Sequence, residues 1–99
     1  MVRTIQLRRY EIAPGMLEEF RAWVNLEVLP IRKQFGFRVE FVYIDNKNSE
    51  FIWAVSVQGA AAEFLELEKR YNESEERAAA GAKRPDCLIS ADIRFVEEN

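Results

Sequence analysis

Residues 3–12 alternate in character, with Ile5 and Leu7 on one side and Gln6, Arg8 and Tyr10 on the other. A period of two predicts a strand, and Ala13-Pro14-Gly15 predicts the turn that ends it. The period then changes. Leu17, Phe20, Val24, Val28, Ile31 and Phe35 recur at steps of three or four, which predicts one amphipathic helix over about 15–34. Glu18 and Glu19 near its start and Arg32 and Lys33 near its end suit the helix dipole. Pro30 interrupts this run, so a kink or an irregular final turn is expected there, with Gly36 as the C-terminal cap.

Residues 37–45 and 50–58 read as two strands joined through the polar turn 46–49. A second helix begins at about residue 60, with Phe64, Leu67 and Tyr71 on its apolar stripe. Asn72 interrupts it, a short helix follows over 74–80, and 81–86 is a loop containing Pro85. The last strand spans 88–96. Ile89, Ala91, Ile93 and Phe95 form one face, and Ser90, Asp92 and Arg94 form the other. The order is βαββαβ. This is the α+β, ferredoxin-like arrangement: a four-stranded antiparallel sheet of order 4-1-3-2 with two helices on one face, forming one domain over 1–99.

Helices cover one face of such a sheet. Ranking by apolarity sends Ile5, Leu7, Ile89, Ala91, Ile93 and Phe95 to the helices, and leaves Gln6, Arg8, Tyr10, Ser90, Asp92 and Arg94 opposite. The middle strands are apolar on both faces, with Val39, Phe41, Tyr43, Phe51, Trp53, Val55 and Val57 in one set. Val42, Ile44, Ile52 and Ala54 make up the other. A strand that is apolar on both sides is buried on both sides. Each large aromatic hides about 150–250 Å² when buried, worth several kcal/mol at ~25 cal/mol per Å². A second copy covering that face would give a homodimer of the dimeric α+β barrel type, with Phe41, Trp53 and Val55 as candidate interface residues and a cavity between the sheets.

Composition narrows the chemistry. A 48% hydrophobic and 31% charged chain of 99 residues is globular. Its net charge of −3 is spread among interspersed signs, which excludes a general nucleic-acid binder. The acid-rich stretch 66–76 reads as a solvated helix face. The absence of histidine removes Ser-His-Asp and Cys-His catalysis, His-rich metal sites and histidine-ligated haem. The lone Cys87 reads as a small buried thiol; it excludes an internal disulfide and fits a reducing compartment. No apolar run is long enough for a membrane span, and the N-terminus lacks signal-peptide character, so a cytoplasmic location is expected.

The run Ile5-Gln6-Leu7-Arg8-Arg9-Tyr10-Glu11-Ile12-Ala13-Pro14-Gly15 resembles the opening strand and turn of NIPSNAP-like proteins. Ser49 through Val57, with its Trp53, resembles that family's third strand, and Tyr71 through Arg77 is similar to the segment closing its second helix. The resemblance implies the dimeric α+β barrel superfamily, which also holds small monooxygenases, haem-degrading enzymes and lactone isomerases. Haem degradation lacks its usual axial histidine here.

The candidate ligand site is Arg8, Tyr10, Tyr43, Trp53, Asp92 and Arg94. Arg8 and Arg94 would orient an anionic or carbonyl-bearing ligand, Tyr10 would hydrogen-bond it, and Asp92 could serve as a base if desolvated. Trp53 and Tyr43 would form an apolar wall. Against this stands a plain structural ion-pair network of Arg8, Asp92 and Arg94. The expected function is binding of a small organic ligand in the barrel cavity, without metal or cofactor. The alternatives are a cofactor-independent monooxygenase or isomerase, and a regulatory small-molecule-sensing module. An RNA-binding reading lacks the Gly-containing aromatic motif it needs.

Overall fold

A computed structural model describes residues 2–99. Its strands are β1 (Arg3–Ile12), β2 (Arg38–Asp45), β3 (Glu50–Gln58) and β4 (Leu88–Val96), all antiparallel in the order β2-β3-β1-β4. The helical segments are α1 (Leu17–Trp23), a π-helical turn (Val24–Val28), α2 (Leu29–Phe35), α3 (Ala61–Asn72) and α4 (Glu75–Ala82). The architecture is the expected α+β ferredoxin-like one. No helix among the described residues is long and apolar enough to cross a membrane.

The long first helix is not regular, and the reason is Pro30. Proline has no amide hydrogen, and its ring clashes with the carbonyl four residues back. The chain answers in the preceding turn: Leu29 N–H reaches back to the Val24 carbonyl, five residues earlier, and α-helix resumes with Pro30 in its first turn. The irregularity therefore lies before the proline, not in the final turn. Gly36 then ends α2 at a φ of 108°, where a Cβ would be strained. Phe37 N–H donates to the Arg32 carbonyl at 3.0 Å, folding the chain back on itself.

The core lies between the helices and one face of the sheet. Phe20, Val24, Phe51, Trp53, Val55, Phe64 and Tyr71 are all fully or almost fully buried there. Phe20 meets Tyr10 and Phe51 edge-on, and Phe37 meets Phe64 and Tyr71 edge-on. These are the arrangements that aromatic quadrupoles favour.

Two expectations about the faces are overturned. On β1 it is Gln6, Arg8 and Tyr10 that face the helices: Gln6 pairs with Val55, Arg8 with Trp53, and Tyr10 with Phe51. Ile5 and Leu7 face the other way. Apolarity misassigned this strand because burial does not separate its two faces: Ile5 is 9% exposed and Gln6 5%. On β2 the register shifts between Val39 and Phe41, leaving Glu40 as the extra residue. A bulge of one residue inverts the phase of everything beyond it. Val39, Val42 and Ile44 therefore face the helices, while Phe41 and Tyr43 face away, paired with Ala54 and Ile52. On β4, Ala91, Ile93 and Phe95 lie on the helix side as expected, at a sheet edge the helices cover incompletely. A further shift between Glu11 and Ile12 puts Ile89 outside the alternation.

The dimer-interface expectation changes with these corrections. Trp53 and Val55 are buried beneath the helices, at 2% and 0% exposure, and are out of reach of a partner. Of the three residues, Phe41 alone lies on the open face. That face nonetheless carries an apolar patch, Ile5, Leu7, Phe41, Tyr43, Ile52, Ala54 and Val96, with Tyr43 64% exposed.

Candidate functional site

Arg8 sits on the middle of β1 with its side chain directed under the helices, where a charge needs partners. Its Nε donates to the Tyr10 hydroxyl at 2.7 Å and its Nη1 to Gln6 Oε1 at 2.5 Å. Period two places these three residues on one face, so a single strand supplies the whole bracket. The Glu68 carboxylate of α3 lies 3.5 Å from Arg8 Nη1. Glu68 thus departs from the solvated face expected of residues 66–76.

Arg32 of α2 enters the same space from above. Its place in the last turn suits the helix dipole, yet it is only 3% exposed. Its guanidinium carbon lies 4.2 Å from the Tyr71 ring centroid, 4.7 Å from Phe37 and 5.6 Å from Trp53. Arg8 approaches the same Trp53 ring at 5.5 Å. Aromatic faces attract cations strongly once water is excluded. They do not satisfy N–H donors, and Arg32 Nε and Nη1 are buried without an acceptor. The Glu68 carboxylate stands 3.8 Å from Nη1, beyond hydrogen-bonding reach. The Trp53 indole N–H is likewise buried without an acceptor. Burial, and then the neighbouring Arg8, pull the Arg32 pKa down to about 10, which still leaves the guanidinium charged at neutral pH.

Between these groups lies a cavity of about 140 Å³. Arg8, Tyr10, Arg32, Trp53 and Tyr71 line it, with Phe20, Trp23, Val24 and Val28 completing the apolar roof. Trp23 is held there by its indole N–H, which donates to the Ala80 carbonyl at 2.9 Å and ties α1 to α4. The half-buried Arg77 and the exposed Arg84, Ala91 and Ile93 also line the cavity, so it opens beside β4. The arrangement combines a fixed positive charge, unsatisfied donors and stacking surfaces.

Of the six sequence-predicted ligand residues, Arg8, Tyr10 and Trp53 come together in this cavity. Tyr43, Asp92 and Arg94 do not; they lie on the opposite face of the sheet. Asp92 and Arg94 pair with each other through Arg94 Nη2 and Asp92 Oδ2 at 2.5 Å, both half-exposed. This is not the desolvated setting that a general base needs. Arg8 and Arg94 therefore belong to separate clusters. Cys87 is 4% exposed, and burial pushes its thiol above the usual range, with Glu19 adding to the effect. That is the behaviour of a packing residue. No group of three or more metal-ligating side chains occurs among the described residues.

Sequence reasoning missed Arg32 and Tyr71 as site residues. In a regular helix position 32 lies about 80° round from Val24, off the apolar stripe, so periodicity carried no signal for its burial.

No protein-family model and no curated protein matches the sequence. Solved structures do. An uncharacterized NIPSNAP domain protein from Burkholderia xenovorans superposes with a TM-score of 0.85 at 15% identity, over 97% of this chain and 94% of that one. A NIPSNAP family protein from Agrobacterium tumefaciens superposes at 0.86 and 16% identity, over 99% and 94%. A putative antibiotic biosynthesis monooxygenase from Bacteroides thetaiotaomicron superposes at 0.72 and 12% identity, over 97% and 89%. The likeness read from the strand sequences is thus matched in three dimensions, and this chain has the fold of the NIPSNAP family proteins.

Proposed function

We propose that this chain is a NIPSNAP-like protein that binds a small organic molecule in the cavity between helices and sheet, and that two copies pair through their open sheet faces. The observation that carries the binding reading is the buried Arg32, held among aromatic rings with donors that have no acceptor. Protein interiors seldom leave such groups unpaired unless something else completes them. The site thereby moves from the space between two sheets, where the alternation of β1 had placed it, to the space under the helices.

Pairing is supported by the apolar open face. Ile5, Leu7, Phe41, Ile52 and Ala54 form its apolar patch, with the half-exposed Asp92–Arg94 ion pair on the edge strand β4 and the Arg9–Glu50 pair beyond Ile52. Packed sheets bury such patches and leave charged rims wet. The lone, buried Cys87 suits a cytoplasmic setting.

Native mass spectrometry of the purified chain tests the binding reading. A co-purified mass that disappears in an Ala91→Trp variant, which blocks the cavity mouth, is the expected result. A bare chain whose tryptophan emission is also unmoved by phenol or toluene overturns it.

A second reading is supported by the likeness to the putative monooxygenase. The Tyr10 hydroxyl accepts from Arg8 Nε, so its own proton remains available to a bound molecule. Cofactor-independent oxygenation or isomerisation would use Tyr10 as that donor. Turnover abolished in Tyr10→Phe, with ligand affinity retained, would support this reading; binding without any turnover would leave a binding or sensing module.

A further inference from the structure

We infer that the cavity takes a monoanionic organic acid of about one ring, with its carboxylate on Arg32 and its ring against the Trp53 and Tyr71 side. This deepens the proposed binding reading and rests on it. The charge count around the buried cluster sets the sign. Arg8 and Arg32 share one carboxylate, Glu68, at 3.5 Å and 3.8 Å, which leaves one positive charge uncompensated away from water. A buried cation without a hydrogen-bonded partner is a costly arrangement, and a bound carboxylate removes the cost. The guanidinium of Arg32 is already fixed by three aromatic faces, so little freedom is lost when it engages an anion. Arg77 and Arg84 near the opening add positive potential along the way in.

Size and lining set the rest. A cavity on the order of 150 Å³ admits a single benzene-sized ring, and this one measures about 140 Å³. Its remaining wall is Phe20, Trp23, Val24, Val28 and Ile93, which suits an apolar body and gives a bare inorganic anion nothing to pack against. A monoanion also balances the single uncompensated charge, whereas a phosphate dianion would exceed it inside the buried cluster.

The test is calorimetric and fluorimetric titration of the purified chain with benzoate, with its uncharged isostere benzamide, and with inorganic phosphate. Benzoate is expected to bind at least about tenfold tighter than benzamide, as a charge-assisted contact requires, and phosphate more weakly than benzoate. Arg32→Met should lose that preference while melting at or above the wild-type temperature, because the variant removes an unpaired buried charge; a group that merely holds the fold would lower it. Should Arg32→Met fail to fold, the benzoate-to-benzamide ratio of the wild-type protein decides. Equal binding of the two overturns the acid assignment and leaves the small-molecule reading standing. Phosphate binding as tightly as benzoate overturns the organic part. Failure of benzoate, benzamide and phenol alike overturns both the inference and the reading beneath it.

Discussion

The guanidinium carbon of Arg32 lies over the Tyr71 ring, 4.2 Å from its centroid, and Tyr71 is itself 1% exposed. Tyr71 also meets Phe35 at 5.6 Å and Phe37 at 5.7 Å, both edge-on. One ring on α3 therefore organises α2, the start of β2 and the buried charge together. Replacing it by alanine leaves a void on three sides. Tyr71→Ala is expected to cost about 3–5 kcal/mol, read as a lower urea midpoint with an unchanged slope. Tyr71→Phe keeps the ring and should cost less than about 1.5 kcal/mol.

Trp53 and Tyr43 make a contrasting pair, because they sit on opposite faces of the same sheet. Trp53→Asp puts a carboxylate into the core beneath the helices, so loss of the folded circular-dichroism signal is expected. Tyr43→Asp puts it on the open face, where the native side chain is 64% exposed. The variant chain should remain folded and shift toward monomer in multi-angle light scattering. A folded Trp53→Asp protein would contradict the core assignment. A Tyr43→Asp protein of unchanged mass at low micromolar concentration would count against pairing through that face.

Gly36 offers a test of backbone geometry alone. A Cβ added there would meet nothing closer than Leu67 Cδ2 at 3.9 Å, so space is not the constraint. The φ of 108° is. Gly36→Ala should cost roughly 1–2 kcal/mol through left-handed strain, seen as a fall in Tm of about 4–8 °C per kcal/mol for a chain of this length. An unchanged Tm would mean that the helix end had rearranged.

Glu40, the bulge residue of β2, is held below the usual carboxylate range, chiefly by the Ser56 hydroxyl, which donates to it at 2.5 Å, and also by Arg3 and Arg38. A lowered folded-state pKa means that the charged form is favoured in the fold. Its contribution is present above the ordinary glutamate range and is lost as pH falls through the lowered value. Glu40→Gln should therefore narrow the stability gap between wild type and variant on acidification, measured as Tm from pH 7 down to pH 3. A gap that widened toward acid would contradict the sign.

Much of the fold could be read along the chain because its signals are local. Strand spans 3–12, 50–58 and 88–96 follow from alternation, and the Asn72 interruption between α3 and α4 was visible in composition. What escaped was the assignment of faces. Gln6, Arg8 and Tyr10 are more polar than Ile5 and Leu7, yet the register with Phe51, Trp53 and Val55 carries them inside. Register is a tertiary fact, and so is the Glu40 bulge that inverts β2. The site suffered for the same reason. The three candidates that meet in the cavity, Arg8, Tyr10 and Trp53, share β1 or its direct partner on β3, whereas Tyr43, Asp92 and Arg94 lie on the opposite face. Arg32 escaped because a charged residue in a last turn is ordinarily wet. Its burial depends on rings at positions 37, 53 and 71, two of them distant in sequence.

The widened turn ahead of Pro30 has an effect on aim. It takes up one residue more than a regular helix would, so every side chain beyond it is rotated by about 100° relative to an uninterrupted spiral. Counted that way, position 32 comes round to the azimuth of Val24 and drops its cation toward the sheet; in a straight rod it would swing toward the flank. A proline that looks like damage to the helix thus acts as the indexing step that points a guanidinium inward. A redesign that smoothed this helix would keep its apolar stripe and turn the guanidinium away from the sheet.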